Sequence, residues 1–309
     1  MITRVLLETI VTRDLDRAVA AWTQTLGWEV WHQSEVDAAL AKFWHVEQTD
    51  FRRFALLVSP GTEQGYLRLL EGPEDDDTGS FHHPGLFNAE FLCQDVDELH
   101  GRLQESMEFQ PLCSPTTYDL ASTGGACSRS FATRGPGGAG VFFTTYLSVP
   151  PPRKLPVCEH LVGPMFNSAM AVEDGDAMAV FFEDLLGMER RLEGRIASPA
   201  INRILDLPED WGFHMVVYKG EGDGLIEVDV HEHELPKGFG SPEGKLKPGN
   251  SFLTVETSDI DEIAQRGSEL ERVRSMPTLL PNPPFDGCRG MLLRGPADEP
   301  VEVVEKDLE

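Results

Sequence analysis

The chain is poor in cysteine, in basic residues and in long apolar runs, and each shortage excludes something. Its 309 residues hold five cysteines. Cys93, Cys113, Cys127, Cys158 and Cys288 are an odd count, widely spaced and without a C-x-x-C pair, which argues against a disulfide framework and a structural zinc site. Lys and Arg number 26 against 52 Asp and Glu, a formal net charge of −26. A surface of that sign repels the phosphate backbone of nucleic acid and the anionic face of a membrane. The apolar runs fall far short of the roughly 20 residues that a spanning helix requires. Met1-Ile2-Thr3-Arg4 leads straight into a strand-like segment, without the basic region and apolar core of a secretory leader. No spacing suggests a Ser-His-Asp or Cys-His arrangement. Arg134-Gly135-Pro136-Gly137-Gly138-Ala139-Gly140 lacks the lysine of a phosphate loop and precedes a strand, so it reads as a hairpin turn. These absences leave a cytoplasmic protein with reduced thiols, a monomer or homodimer, whose partner is a small molecule.

Enough apolar material is present for folded cores: hydrophobic residues make up 40% and aromatics 8% of the chain. At about 150 residues per domain the length predicts two domains, and an internal repeat supports that count. Asp14-Leu15-Asp16 through Leu26-Gly27 matches Asp174 through Leu186-Gly187 without a gap, with Trp22 meeting Phe182. Asp95-Val96-Asp97-Glu98-Leu99 matches Asp259-Ile260-Asp261-Glu262-Ile263, and Arg134-Gly135-Pro136 matches Arg294-Gly295-Pro296. The boundary falls at the proline-rich stretch around Pro150-Pro151-Pro152, which predicts an extended linker. Each half divides again into two pieces, each a strand, a helix opened by an aspartate, and further strands. Asp14 or Asp16 can cap the first helix, Leu15, Ala18, Val19, Trp22 and Leu26 form its buried stripe, and Gly27 ends it.

The last strand of each piece alternates. Leu67 and Leu69 interleave with Arg68, Val141 and Phe143 with Phe142 and Thr144, Ile226 and Val228 with Glu227 and Asp229, and Val301 and Val303 with Glu302. Side chains alternate faces along a strand, so Arg68, Phe142, Glu227 and Glu302 share the face turned away from the helices.

Four such pieces, each with D-x-D after its first strand and the first and third continuing D-x-D-x-A/M-x-x-x-W/F…L-G, resemble the vicinal oxygen chelate superfamily, that of glyoxalases, bleomycin-resistance proteins and extradiol dioxygenases. The resemblance covers roughly residues 3–148 and 160–306. It implies an α+β fold of four βαβββ modules paired into two glyoxalase-like domains, residues 1–148 and 158–309, joined by the linker at 149–157. It also implies a divalent metal in a cup, held by side chains from first and last strands, acting on a substrate with two adjacent oxygens.

The family's ligand positions map to Leu7, Asn88, Asn167 and Phe252 on the first strands and to Arg68, Phe142, Glu227 and Glu302 on the last. With the modules paired within each half, the N-terminal cup holds Leu7, Arg68, Asn88 and Phe142, where an arginine repels a cation. The C-terminal cup holds Asn167, Glu227, Phe252 and Glu302. Glu227, Glu302 and Asn167 are the metal candidates, for Mg²⁺ or Mn²⁺ rather than Fe or Zn because no histidine stands at these positions; a metal-free cup is the alternative. Glu227, with Glu302 beside it, is the catalytic candidate. Arg68, Asn88, Phe142, Thr144, Asn167 and Phe252 are substrate-binding candidates. Arg68 either grips an anionic group or pairs with Glu90.

The activity implied is that of a lyase, isomerase or dioxygenase-like enzyme on a small oxygenated molecule, with extradiol cleavage disfavoured by the missing histidines. The alternative is a metal-free binding protein of the bleomycin-resistance type. Elsewhere the expectations are ordinary. Glu8 points to the helices, Tyr118 lies in a loop that can reach the cup, and Glu74–Asp77, His82-His83, His160 and His231-Glu232-His233 are solvated.

Overall fold

The computed structural model describes residues 1–119, 126–149, 151, 159–222, 224–231, 246–280, 285 and 287–306. Cys158, most of the expected linker, Glu232 and His233 lie outside the described residues.

Four modules follow one another. The first comprises β1 (Ile2–Thr12), α1 (Leu15–Ala20), β2 (Glu29–Glu35), α2 (Ala38–Trp44), β3 (Arg53–Val58) and β4 (Tyr66–Glu71). The second comprises β5 (Gly85–Cys93), α3 (Val96–Leu103), β6 (Gln110–Pro111), β7 (Thr116–Asp119), β8 (Cys127–Arg134) and β9 (Gly140–Ser148). The third comprises β10 (Val162–Val172), α4 (Gly175–Ala179), β11 (Glu189–Ala197), α5 (Pro199–Ile204), β12 (Gly212–Lys219) and β13 (Leu225–Val230). The fourth comprises β14 (Gly249–Thr257), α6 (Ile260–Glu269), β15 (Val273–Leu279), β16 (Arg289–Arg294) and β17 (Pro300–Glu305).

The repeated aspartates do the same local work in every module. Asp14, Asp95, Asp174 and Asp259 each accept a backbone N–H from the first turn of the following helix, satisfying donors that a helix start leaves open. Helices α1 and α4 widen into π-helical turns at Ala21–Thr25 and Val180–Leu185. Gly27 (φ +77°) and Gly187 (φ +65°) then reverse the chain in the left-handed region. The hairpin expected at Arg134–Gly140 is present, closed by the Gly135 N–H on the Ala139 carbonyl at 2.7 Å.

The strands form two sheets, and their order departs from the pairing read from sequence. One sheet runs β15-β16-β17-β14-β1-β4-β3-β2 and the other β11-β12-β13-β10-β5-β9-β8-β6, with β7 on β8. Module one therefore hydrogen-bonds to module four through antiparallel β1 and β14, and module two to module three through β5 and β10. The two modules of one half instead meet through helices: Trp22 of α1's extension packs on Phe91 and Phe109 at 4.9 and 5.4 Å between ring centroids. Complementary charge accompanies the cross-half pairing. Arg4 reaches Glu256 at 2.9 Å and Arg68 reaches Glu302 at 2.8 Å. Four first strands with the same alternation are interchangeable as patterns, so the repeat alone does not specify which pair joins.

The main core lies between the sheets and the helices and continues onto the other face of the module two–module three sheet, where Phe142, Ala169, Ala171, Met215 and Val217 join it. A second, smaller cluster fills the opposite face of the module one–module four sheet, where α2 lays Leu40, Phe43 and Trp44 against Phe54, Phe252 and Leu292.

Candidate functional site

Each sheet has one face turned away from α1, α3, α4 and α6, and the residues singled out from sequence lie on those faces. Because modules pair one with four and two with three, they fall into different sets from those expected. Leu7, Arg68, Phe252 and Glu302 share one cup; Asn88, Phe142, Asn167 and Glu227 share the other.

The first cup is closed. Arg68 and Glu302 are 2% and 1% exposed and pair at 2.8 Å. The Glu302 carboxylate also accepts from the Trp44 indole N–H at 2.9 Å and the Thr254 hydroxyl at 2.6 Å. Rings of Trp44 and Phe252 cover the guanidinium, with centroids 5.0 and 5.2 Å from Cζ; cation–π attraction is strengthened where water is excluded. This corrects three expectations. Arg68 pairs with Glu302 rather than Glu90, because β4 and β17 flank the joined β1 and β14. Arg68 is neutralised and covered, so it does not offer its fork to a substrate anion. Phe252 covers Arg68 instead of lining a substrate pocket.

A divalent metal does not fit here, since Glu302 is already bonded to three donors and a fixed positive charge stands among the family's ligand positions.

The second cup holds the acids. On β13, Glu227 and Asp229 lie two residues apart on one face, and on β5 Asn88 and Glu90 do the same. The Asn167 amide nitrogen donates to Glu90 at 2.8 Å and to Glu227 at 3.2 Å. Glu90 also accepts from the Thr144 hydroxyl, which has Ser130 at 2.7 Å. Phe142 stands beside Glu90 in the parallel register of β5 and β9. Burial, and then the Glu90 carboxylate, push Glu227 up to about 8, against the pull of the Asn167 hydrogen bond. Asp229 is held well above the usual carboxylate range by burial and then by Glu227 and Glu90. Glu227 and Glu90 are half-buried, whereas Asp229 is wholly buried, so exposure falls along the row of acids toward Asp229.

Tyr118, on β7 rather than in a loop, bonds Ser198 at 3.1 Å and so ties module two to module three. Burial pushes its hydroxyl up to about 12.

Glu227 and Glu302 thus stand on different sheets. The expected pair of Glu227 and Glu302 is not brought together, Glu227 standing instead with Glu90 and Asp229, and the expected trio of Glu227, Glu302 and Asn167 is split. The usual metal does not fit the second cup either. Phe142 offers no ligand atom, Asn167 turns its N–H₂ toward the acids, and among the described residues no three of His, Cys, Asp and Glu surround a common point. Glu90 and Asp229 were not among the site candidates, yet the period-two alternation that selects Asn88 and Glu227 selects them too. Trp44 is different: it arrives on α2, a helix that the module pattern does not contain.

Outside the cups, Glu8 is buried on the helix side as expected, accepting from Asn250 at 2.6 Å. His160 is exposed as expected. Asp76 and His83 are not solvated but buried, 3.2 Å apart, because the loops around them pack between modules. His231 is buried and faces Phe213 at 5.1 Å.

No family model matches the chain, and no curated protein matches it. Solved structures do. Glyoxalase I from Zea mays, 15% identical, aligns over 98% of this chain and 92% of its own length with a TM-score of 0.63. A provisionally assigned dioxygenase from Bacillus subtilis, 11% identical, aligns over 99% of this chain and 86% of its own with a TM-score of 0.61. The chain has the vicinal oxygen chelate fold in its two-domain, α+β form. No helix among the described residues is long and apolar enough to cross a membrane.

Proposed function

We propose that the protein is an enzyme of the glyoxalase kind, acting on a small oxygenated organic molecule in the module two–module three cup, with Glu227 moving the proton. The observation that supports this is Glu227 itself: a half-buried carboxyl on the cup face, beside a second acid, with a pKa of about 8. Such a group holds a proton at neutral pH and is close enough to that pH to give it up and take it back. Protonated Glu227 donates to a substrate carbonyl or hydroxyl oxygen; as the carboxylate it accepts a proton from the adjacent carbon. Thr144 and Asn167 fix Glu90, whose charge helps keep Glu227 protonated. Phe142 supplies a flat apolar wall and Asn88 a neutral hydrogen-bonding group. Isomerase and lyase steps next to a carbonyl need only this proton traffic. Cys113 and Cys127 are free thiols, which supports a reducing, cytoplasmic compartment.

The same cup without turnover is a metal-free binding site. The departure of Phe142 and Asn167 from a metal set supports that second reading. One experiment separates the two. Small α-hydroxy- and α-oxo-carbonyl compounds are incubated with the protein in D₂O, and loss of the C–H resonance is followed by NMR. The enzyme reading expects exchange with at least one compound, slowed by about 10²–10⁴ in Glu227→Gln. Binding without exchange, or exchange unchanged in Glu227→Gln, overturns it.

A further inference from the structure

We infer that the floor of the module two–module three cup seats an organic cation, the ammonium or guanidinium group of the molecule that the cup takes. The inference rests on the reading above that this cup is the working site, and it adds the chemical class of the ligand.

The acid cluster alone does not carry it; the unsatisfied acceptors beneath it do. Asp229 is 0% exposed, and among the described residues neither of its oxygens has a hydrogen-bond donor. Asn167 is 3% exposed, and its Oδ1 likewise lacks one. Strand alternation puts Asp229 on the face that carries Glu227, and Asn167 bonds Glu227 directly. Three buried acceptors without donors are costly, because nothing replaces the water that they lose on folding. Among the described residues, the ionisable groups acting on Asp229 are two further acids, Glu227 and Glu90, and no cation. What completes the cup therefore brings several N–H donors and a positive charge.

A metal ion meets the charge requirement but not the geometry. The Asn167 N–H₂ already bridges Glu90 and Glu227, and no three acids of the described residues converge on one point. A primary ammonium has three donors and a guanidinium five, spread over a plane, which suits acceptors strung along a strand face. Phe142, in register with Glu90, gives an apolar surface for the carbon chain that carries the cation.

Isothermal titration tests this with n-butylammonium and n-butylguanidinium as probes, against n-butanol, tetramethylammonium, MgCl₂ and MnCl₂. The expected result is saturable binding of one molecule of an N–H-bearing cation, with none of the neutral or N–H-free analogues. Glu90→Gln and Asp229→Asn, each checked for native melting, weaken that binding by about tenfold or more. Failure of both organic cations to bind the wild type, equal binding of butanol or tetramethylammonium, or binding of Mg²⁺ or Mn²⁺ alone overturns the inference. The proposed activity fails separately. If butylammonium binds while Glu227→Gln leaves C–H exchange unchanged, the cation seat stands and the proton-transfer role falls; if exchange depends on Glu227 and no organic cation binds, the reverse holds.

Discussion

Arg68 is a charge that water does not reach. Its one ionic partner among the described residues, Glu302, comes from 234 residues further along the chain, and Trp44 and Phe252 close over both. Such a pair need not stabilise a fold relative to apolar residues of the same size, but breaking it from one side is costly, because the remaining charge stays buried. Glu302→Gln is expected to lower unfolding stability by about 3 kcal/mol. Adding Arg68→Met to that variant should recover most of the loss. Urea unfolding of wild type, single and double variants measures both; a double variant less stable than the single would show that the pair contributes net stabilisation of its own. The face of Arg68, of Glu302 and of the acids in the other cup was legible from sequence, since alternation along a strand reports which side a residue takes. The partner was not, since it depends on which strands join.

At the level of elements, the four aspartate caps, the glycine stops and the module order were all readable, because each depends on a few consecutive residues. Helices α2 and α5 were missed. Their signals were present in Asp37, which caps Leu40 at 2.8 Å, and in Ser198 followed by Pro199 at the first helical position, a favoured start. Both helices matter: α2 brings Trp44 over one cup, and the cap of α5 holds Tyr118 beside the other. Sheet pairing was not readable, but close approaches between the sheets make it testable. Gly65, at φ +65°, would place a Cβ 2.1 Å from the Met165 carbonyl oxygen. Gly65→Ala should therefore destabilise by about 2 kcal/mol or more. Gly101→Ala, inside α3 with open space around its Cβ, should stabilise by about 0.5–1 kcal/mol. Thermal melts of the two variants check the contrast, and a neutral Gly65→Ala would contradict the contact between the β3–β4 turn and β10.

For the whole molecule, the charge of −26 is misleading if every carboxyl is counted as an anion on the surface. Burial pushes Glu8 and Glu299 each up to about 7, although Ser168 and Asn250 hydrogen bonds pull Glu8 the other way. Their ordinary value is 4.5, so between about pH 4.5 and 7 the folded chain holds more protons than the unfolded one, and stability falls as pH rises. Self-repulsion of the acidic surface acts in the same direction. Lys247 acts oppositely at higher pH: burial pushes it down to about 8 from 10.5, so the folded chain holds fewer protons there and stability recovers as pH rises through that window. Below this range Asp76 takes over. Burial alone would raise it, but His83 and Thr78 hold it at about 2, so its contribution is present above its ordinary 3.8 and is lost as pH falls toward 2. The melting temperature should accordingly peak near pH 5 and decline by several degrees toward pH 8, on the order of a few kcal/mol over the window. Joint substitution of Glu8→Gln and Glu299→Gln should lessen that decline, to which Glu227 and Asp229 also contribute, while leaving the acid limb, in which Asp76 takes part, where it is. Differential scanning calorimetry from pH 3 to 9 measures both limbs. A melting temperature that climbs from pH 5 to 8 in the wild type would mean that these two glutamates are ionised in the folded state, and that Lys247, 2.7 Å from the Leu86 carbonyl, is the charge that keeps them so.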